Sequence, residues 1–373
     1  MHAESILHEA RRRWLAAALR GERPLWNADL GDVEGMLVAA STEGVAALVN
    51  HEASNQREDW QLPQALVEGL AASTRLEVVS NLVREAQCRE ILARLAEENL
   101  SALLLKGSAL AYWAYDLPYL RPCVDIDLLF ASRAGAAAAG HALTKLGYAL
   151  VSRALPGDLT TFELCCVRAV SGTQIWADLH WGIGGAPMFA DRFSIQELFA
   201  ASIALPKLAP TARALGPVHA YLHNSTHRAL QLHLGTGDRL KWHYDLHRLA
   251  QKFSGGDWNQ LAALCEERGL AGACHDAMET SAALFKTPIP QSVVDRLALA
   301  SRGERIDIQR LNKWKYMEYM NFLAVPARQR MRWLKQRLLP DRVYLEDMYG
   351  GRWTGYSRYL RKGLRKLFLG GTA

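Results

Sequence analysis

The chain has no run of about 18 apolar residues, so no membrane-spanning helix is expected, although half of its 373 residues are apolar. Its six cysteines, Cys88, Cys123, Cys165, Cys166, Cys265 and Cys274, include no Cys-x-x-Cys pair. That spacing excludes a zinc ribbon, a redox pair and a disulfide framework, and all six read as reduced core residues. There is no internal repeat and no long linker, and outside the C-terminal tail no stretch of interleaved basic and aromatic residues of the kind that marks an RNA-binding module. Charges continue to Arg13, and the apolar run from Trp14 to Leu19 is too short for a secretory signal, so the protein is expected in the cytosol. Acidic residues are scarce in one place. From Pro326 to Ala373 there are 12 Lys and Arg against 3 Asp and Glu, a balance of +9 in a chain of net +6. The basic character belongs to the C-terminal tail.

What is present is concentrated between residues 103 and 181. Leu103-Leu104-Leu105-Lys106-Gly107-Ser108 reads as a short apolar strand running into a Gly-Ser turn. Arg121-Pro122-Cys123-Val124-Asp125-Ile126-Asp127-Leu128-Leu129-Phe130 reads as a second apolar strand carrying two aspartates. Side chains alternate across a strand, so Asp125 and Asp127 share one face while Val124, Ile126 and Leu128 take the other. Two adjacent carboxylates repel unless a cation lies between them. An all-oxygen pair suits Mg²⁺, which takes one or two carboxylates together with substrate phosphates.

A third carboxylate follows. Thr161–Arg168 and Gln174–Trp181 both read as strands, joined through Ser171-Gly172-Thr173 as a hairpin. On the second strand Trp176, Asp178 and His180 share a face, and a polar pair there is costly to bury without partners. Should this strand lie beside the Asp125-Asp127 strand, Asp178 completes a triad.

Lys-Gly-Ser, then Arg-x-x-x-Asp-x-Asp-Leu-Leu, then Asp-Leu-His-Trp together resemble the poorly characterised bacterial nucleotidyltransferase family of the DNA polymerase beta-like superfamily. The resemblance continues through His223-Asn224-Ser225-Thr226-His227, Leu240–Leu246 and Asp257-Trp258. The Tyr112–Leu120 stretch between the Gly-Ser and the Asp pair is longer than is usual in that superfamily. The resemblance implies an α/β (α+β) catalytic unit, a mixed sheet with flanking helices, between N- and C-terminal helical regions. It implies transfer of an NMP from an NTP to an acceptor hydroxyl with release of pyrophosphate. Asp125, Asp127 and Asp178 would be the Mg²⁺ and catalytic residues, with Asp178 helping to activate the acceptor. Lys106, Gly107, Ser108, Arg121, His180, His223 and His227 would be nucleotide-binding.

Several of these residues keep a simpler reading alongside. Ser108 is either a phosphate contact or the N-cap of a short helix. Lys106 and Arg121 either meet phosphate or neutralise the aspartates. His180 either orients Asp178 or is a buried, satisfied histidine. His219, His223 and His227 share a helix face, with His233, His243 and His247 following. Polar packing or contact with the nucleotide is favoured over a transition-metal site, because no Cys or carboxylate joins them at ligand spacing.

Three regions are expected: helical residues 1–100, a catalytic unit over 101–205, and a helical region over 206–373 ending in the basic tail. In the first, Leu76, Val79, Leu82, Val83 and Ala86 form the clearest apolar helical stripe, and Ile91, Leu92 and Leu95 continue it on a rotated face. In the last, helices are expected to break at Gly235-Thr236-Gly237, Ser254-Gly255-Gly256 and Pro288. The tail places Tyr356, Leu360, Leu364 and Leu367 on one stripe among Arg358, Arg361, Lys362, Arg365 and Lys366. Such a helix packs its stripe on its own domain, or lies on an anionic membrane or RNA. The competing reading is a non-catalytic nucleotide- or RNA-binding module that uses this tail. Which NTP and which acceptor (small molecule, peptide or protein, or RNA) are not written in any motif.

Overall fold

Alternation along two short strands decides which face of the sheet carries chemistry. The computed structural model describes residues 2–55, 60–151, 159–233, 238–340 and 342–369, without the side chains of 2, 3, 233, 352 and 366–369. The Gly235-Thr236-Gly237 break and the side chains of His233, Lys366 and Leu367 therefore lie outside the described residues.

Four helices come first: α1 (His2–Leu19), α2 (Val33–Thr42), α3 (Ala46–Asn55) and α4 (Gln64–Glu97). The central unit is β1 (Ala102–Leu104), α5 (Lys106–Leu110), β2 (Asp125–Phe130), α6 (Arg133–Thr144), β3 (Ala149–Val151), β4 (Glu163–Val170) and β5 (Thr173–His180). Two short helices, α7 (Pro187–Ala190) and α8 (Ile195–Ala200), lead to β6 (Ile203–Ala204) and β7 (Arg213–Ala214). The remainder is helical: α9 (Pro217–His233), α10 (Leu240–Ala250), α11 (Gly255–Arg268), α12 (Ala271–Phe285), α13 (Gln291–Ser301), α14 (Trp314–Ala324), α15 (Arg330–Leu338), α16 (Arg342–Tyr349) and α17 (Arg352–Leu369). No helix among the described residues is long and apolar enough to cross a membrane.

The sheet is mixed, in the order β3-β4-β5-β2-β1-β7-β6. β2 runs parallel to β5, β1 runs parallel to β7, and the other pairs are antiparallel. Ser171 and Gly172 between β4 and β5 both have positive φ (49° and 79°), which a two-residue type I′ hairpin requires. Leu104, Ile126, Leu128 and Phe130 point into a core shared with Cys88, Ile91, Leu92 and Leu95 of α4 and with Ala136, Ala139 and Leu143 of α6. Leu103, Leu105 and Leu129 point the other way, into the larger core built by the flanking helices. Each such leucine contributes about 2 kcal/mol by leaving water. Asp125 and Asp127 share the face of Leu129, so the carboxylates look toward the helical regions.

α4 is continuous, and its strongest sequence stripe is turned outward. Leu76, Val79 and Leu82 are 71%, 60% and 60% exposed, and Ala86 is exposed with them. On the inward side of the same stretch Asn81 is buried and Glu77 and Arg84 are half-buried, while Val83, alone of the stripe, packs on the sheet core. Beyond residue 86 the usual polarity returns, and Cys88, Ile91, Leu92 and Leu95 are buried. At Ser254 a reciprocal capping box with Asp257 opens α11, so that expected break is a helix start.

The tail departs from its expected packing as well. α17 rests on α16 through Gly355 and Tyr359, whose ring meets Tyr344 and Tyr349 edge-on. Tyr356 is half-buried, but Leu360 and Leu364 are exposed, and so are Arg358, Arg361, Lys362 and Arg365. The apolar stripe read from the sequence does not cover the domain. All six cysteines are free thiols; Cys88, Cys165, Cys166, Cys265 and Cys274 are buried and Cys123 is half-buried.

Candidate active site

Parallel pairing of β2 with β5 brings the carboxylates together. Asp127 and Asp178 are opposite one another in the register, and Asp125 lies opposite Trp176. Ligand oxygens of Asp125, Asp127 and Asp178 all lie within 4.8 Å of one another. Among the described residues this is the one group of three or more His, Cys, Asp or Glu side chains with such convergence.

Crowding sets the charges. Repulsion from Asp127, followed by burial, raises the Asp125 pKa. Burial, with Asp127, Glu163 and Asp125 adding to it, pushes Asp178 up to about 6. Burial would raise Asp127 too, but Lys106 and His180 outweigh it and hold this carboxyl well below the usual range. Lys106 Nζ donates to Asp127 Oδ1 at 2.6 Å, and His180 Nε2 lies 2.8 Å from the same oxygen. Asp178 Oδ1 is buried with no hydrogen-bond partner. An orphaned carboxylate oxygen beside two further carboxylates fits a hard cation with oxygen ligands, and Mg²⁺ is of that class.

The turn between β1 and α5 is strained where it meets the triad. Lys106 has φ +49°, a region that side-chain-bearing residues seldom occupy and that collects at functional sites. Leu105, not Ser108, occupies the N-cap position of α5. Ser108 is buried, its hydroxyl donating to Leu105 O and accepting from the Asp127 amide. Its role in this geometry is to fix the backbone of a metal-ligand candidate. Gly107 is packed so tightly that a Cβ would sit 2.6 Å from Cys123 Sγ and 2.7 Å from Arg121 Nη1.

Three expected site residues have different partners from those anticipated. Arg121 does not pair with the triad: its Nε and Nη2 donate to both oxygens of Asp245 on α10, at 2.6 and 2.7 Å. Tyr115 OH donates to the same carboxylate at 2.7 Å. His180 contacts Asp127 and, through Nδ1, Glu163 at 3.1 Å; it does not orient Asp178. On α9, His219 pairs with Glu197 at 2.8 Å, away from its helix neighbours. His223 and His227 remain together, with ring centroids 6.3 Å apart, and His227 meets Trp242 edge-on. Burial, then the Lys106 charge, lowers both, His223 to about 3, so both are neutral imidazoles facing the Lys106 side of the site.

Glu163 and Asp245 were not singled out in the sequence. Glu163 opens β4 opposite His180 in the hairpin register, so correct hairpin alignment would have found it. Asp245 lies inside the Leu240–Leu246 segment, where its partner Arg121 is remote in sequence and no local signal links them.

The sheet order, the paired Asp strands and the Gly-Ser turn agree with the outcome of a family comparison. Residues 30–286 match the model of a family described as an uncharacterised nucleotidyltransferase. No curated protein and no solved structure matches the chain. With well over half its length covered, and with the three aspartates brought together inside the matched span, the chain belongs to the uncharacterised nucleotidyltransferase family.

Proposed function

We propose that the protein is a Mg²⁺-dependent enzyme that transfers an NMP from an NTP to an acceptor hydroxyl and releases pyrophosphate. The observation that carries this reading is the convergence of Asp125, Asp127 and Asp178 within 4.8 Å, with one oxygen of Asp178 buried and unpartnered. Asp125 and Asp127, with Asp178 beside them, would hold Mg²⁺, which when bound neutralises charge on the triphosphate and on the leaving pyrophosphate. Asp178, the carboxyl pushed up to about 6, is the base that takes the acceptor proton as its oxygen bonds to the α-phosphorus. The bond from that phosphorus to the oxygen bridging to the β-phosphate breaks, and pyrophosphate leaves. Lys106 and His180 keep Asp127 ionised, and the neutral His223 and His227 contribute polar contacts without adding charge. The regions over 1–100 and 206–373 are proposed to shape the acceptor pocket around a catalytic unit over 101–205.

The test is calorimetric titration of each NTP, with and without Mg²⁺, into wild type and the Asp125→Asn/Asp127→Asn double variant, followed by product analysis with α-labelled NTP. Mg²⁺-dependent binding to wild type alone, and pyrophosphate as the released product, are expected. Recovery of NDP instead, or full turnover by a folded variant, would sink the assignment.

One feature favours a second, non-catalytic reading. The exposed Arg361, Lys362 and Arg365 lie on the same helix as the exposed Leu360 and Leu364. Steeply salt-dependent RNA binding that is lost in an Arg361→Gln/Lys362→Gln/Arg365→Gln variant, and indifferent to the aspartates, would favour it.

A further inference from the structure

The basic tail folds into a helix with three distinct faces. Gly355 and Tyr359 of α17 are turned toward α16, Gly355 so closely that a Cβ would sit 2.8 Å from Leu345 O. A second face is apolar and open. At 3.6 residues per turn Trp353, Leu360 and Leu364 fall within about 40° of one another. All three are exposed, Trp353 by 76% and Leu364 by 53%. Tyr356, half-buried at one edge of this stripe, donates its hydroxyl to Leu338 O at 3.1 Å, which brings the exposed Leu338 and Leu339 alongside. Along the other edge stand Arg361 and Arg365, with Arg358 and Lys362 behind them, all exposed. No hydrogen bond or ion pair among the described residues engages Arg361, Lys362 or Arg365.

A clustered apolar stripe left open to water marks an interaction face, and the charge around this one identifies the partner. α17 carries six Lys and Arg and no Asp or Glu. Residues 326–373 balance at +9, while the rest of the chain is net negative. A second copy would set two such cationic helices against each other, so like charge disfavours self-association through this face. Nucleic acid would answer the charges, but it is bound through phosphates and stacked bases, which call for cations and flat rings. Leu360 and Leu364 have no part in either contact. An anionic lipid surface answers both features: phosphate headgroups meet the arginines, and the acyl boundary just beneath takes the leucines. Trp353 suits the same depth, because its ring is amphipathic. The negative remainder of the chain is repelled by such a surface, which leaves the tail as the side that approaches.

We propose that α17 is a docking helix for anionic membrane surfaces. It lies in the headgroup layer with Trp353, Leu360 and Leu364 turned into the bilayer and Arg361, Lys362 and Arg365 on lipid phosphates. Attachment is peripheral: a few apolar side chains reach only the acyl boundary, so binding is reversible and weakened by salt. The helix is already formed in the free chain, held by Tyr359 against Tyr344 and Tyr349, so docking carries no cost of ordering a loose segment. The proposal does not depend on nucleotidyl transfer, and the residues it uses lie outside the candidate active site.

The experiment is cosedimentation of the full-length protein, at low and high salt, with vesicles of phosphatidylcholine alone and of phosphatidylcholine mixed with phosphatidylglycerol. At low salt wild type is expected to favour the anionic vesicles by about tenfold or more, and to lose most of that preference at high salt. Leu360→Gln/Leu364→Gln and Arg361→Gln/Lys362→Gln/Arg365→Gln should each weaken binding by about tenfold or more, whereas Leu360→Met/Leu364→Met should keep it. All five positions are exposed, so circular-dichroism melts of these variants should match wild type. Wild type that ignores anionic vesicles overturns the proposal, and so does binding that is indifferent to the leucine pair, which would reduce the tail to a patch of charge. A labelled single-stranded RNA titrated in parallel tests the other polyanion: RNA binding that needs the basic residues but not the leucines, with no vesicle binding, overturns the proposal in favour of RNA. A dimer in sedimentation velocity that is lost in Leu360→Gln/Leu364→Gln, again with no vesicle binding, overturns it in favour of a second copy on the stripe.

Discussion

Asp127 and Asp178 face each other across the parallel pair β2–β5, the only point where these two carboxylates, remote in sequence, are held side by side. Because side chains alternate, a slip of one residue would turn Asp178 to the apolar face. The register is protected on that face by Ile126 and Leu128 of β2 and by Ala177 and Leu179 of β5, all buried.

Relieving the crowd of carboxylates should stabilise the metal-free protein. In Mg²⁺-free buffer, Asp178→Asn is expected to gain about 1–2 kcal/mol, the scale of one unit of carboxylate repulsion. Millimolar Mg²⁺ should raise the wild-type melting temperature by preferential binding to the folded state and leave the variant unmoved. Differential scanning calorimetry with and without Mg²⁺ reads both effects; an equal Mg²⁺ shift in the two proteins would argue against a metal at the triad.

The Arg121–Asp245 pair is buried and doubly hydrogen-bonded. Removing one partner strands the other, so Arg121→Met or Asp245→Asn should each cost about 3–5 kcal/mol in urea unfolding. Tyr115→Phe removes one further bond to the same carboxylate and should cost about 1.5–3 kcal/mol. Losses below about 1 kcal/mol in both charge variants would mean that the pair does not tie α10 to the loop before β2.

Gly107→Ala tests close packing at the turn. The added methyl would meet Arg121 Nη1 and Cys123 Sγ at under 3 Å. Arg121 is locked by Asp245 and has little freedom to give way. A loss of about 1–3 kcal/mol is expected, together with weaker NTP binding. An unperturbed variant would show that this turn yields easily.

Lys241 gives a pH signature. Its ammonium titrates at about 8 in the folded chain and near 10.4 when unfolded. Between those values the unfolded state holds more protons, so stability rises with pH; the penalty, up to about 3 kcal/mol, is complete below pH 8 and gone above about 10.4. Tyrosines and thiols titrate in the same window, so the measurement is a difference: wild type minus Lys241→Met, by urea unfolding from pH 7 to 10. The variant should be more stable at pH 7 and the gap should close as pH rises. A constant gap would mean that the ammonium is solvated.

The sequence made the elements that carry the aspartate triad readable because their signals are local and redundant. Period-two alternation at Asp125-Ile126-Asp127, a Gly-Ser turn, and a second strand with an inward Asp and His all survive without knowledge of the fold. Arg121 could not be read the same way. Its partner, Asp245, is chosen by how α10 docks, and nothing near Arg121 in the chain records that. The α4 stripe misled for a related reason. Amphipathicity locates two faces of a helix, but not which of them packs inward, and here Asn81, Glu77 and Arg84 lie on the inner side. Leu360 and Leu364 of the tail were grouped correctly into a stripe, yet the docking face of α17 was set by Gly355 and Tyr359, where small and aromatic residues let two helices approach.

The parallel pairing of β2 with β5 also has a kinetic consequence. Parallel strands cannot be joined by a tight turn, so this pairing waits for α6 and the β4–β5 hairpin, and such distant contacts form slowly because the intervening chain must first be closed into a loop. β2 by itself offers only the Asp125–Asp127 pair, and the third carboxylate, Asp178, arrives with β5. A nascent or partly refolded chain therefore lacks the complete triad, and if the triad holds Mg²⁺ as proposed, full Mg²⁺ affinity during refolding becomes a clock for completion of the sheet, later than the acquisition of helical signal from α1–α4.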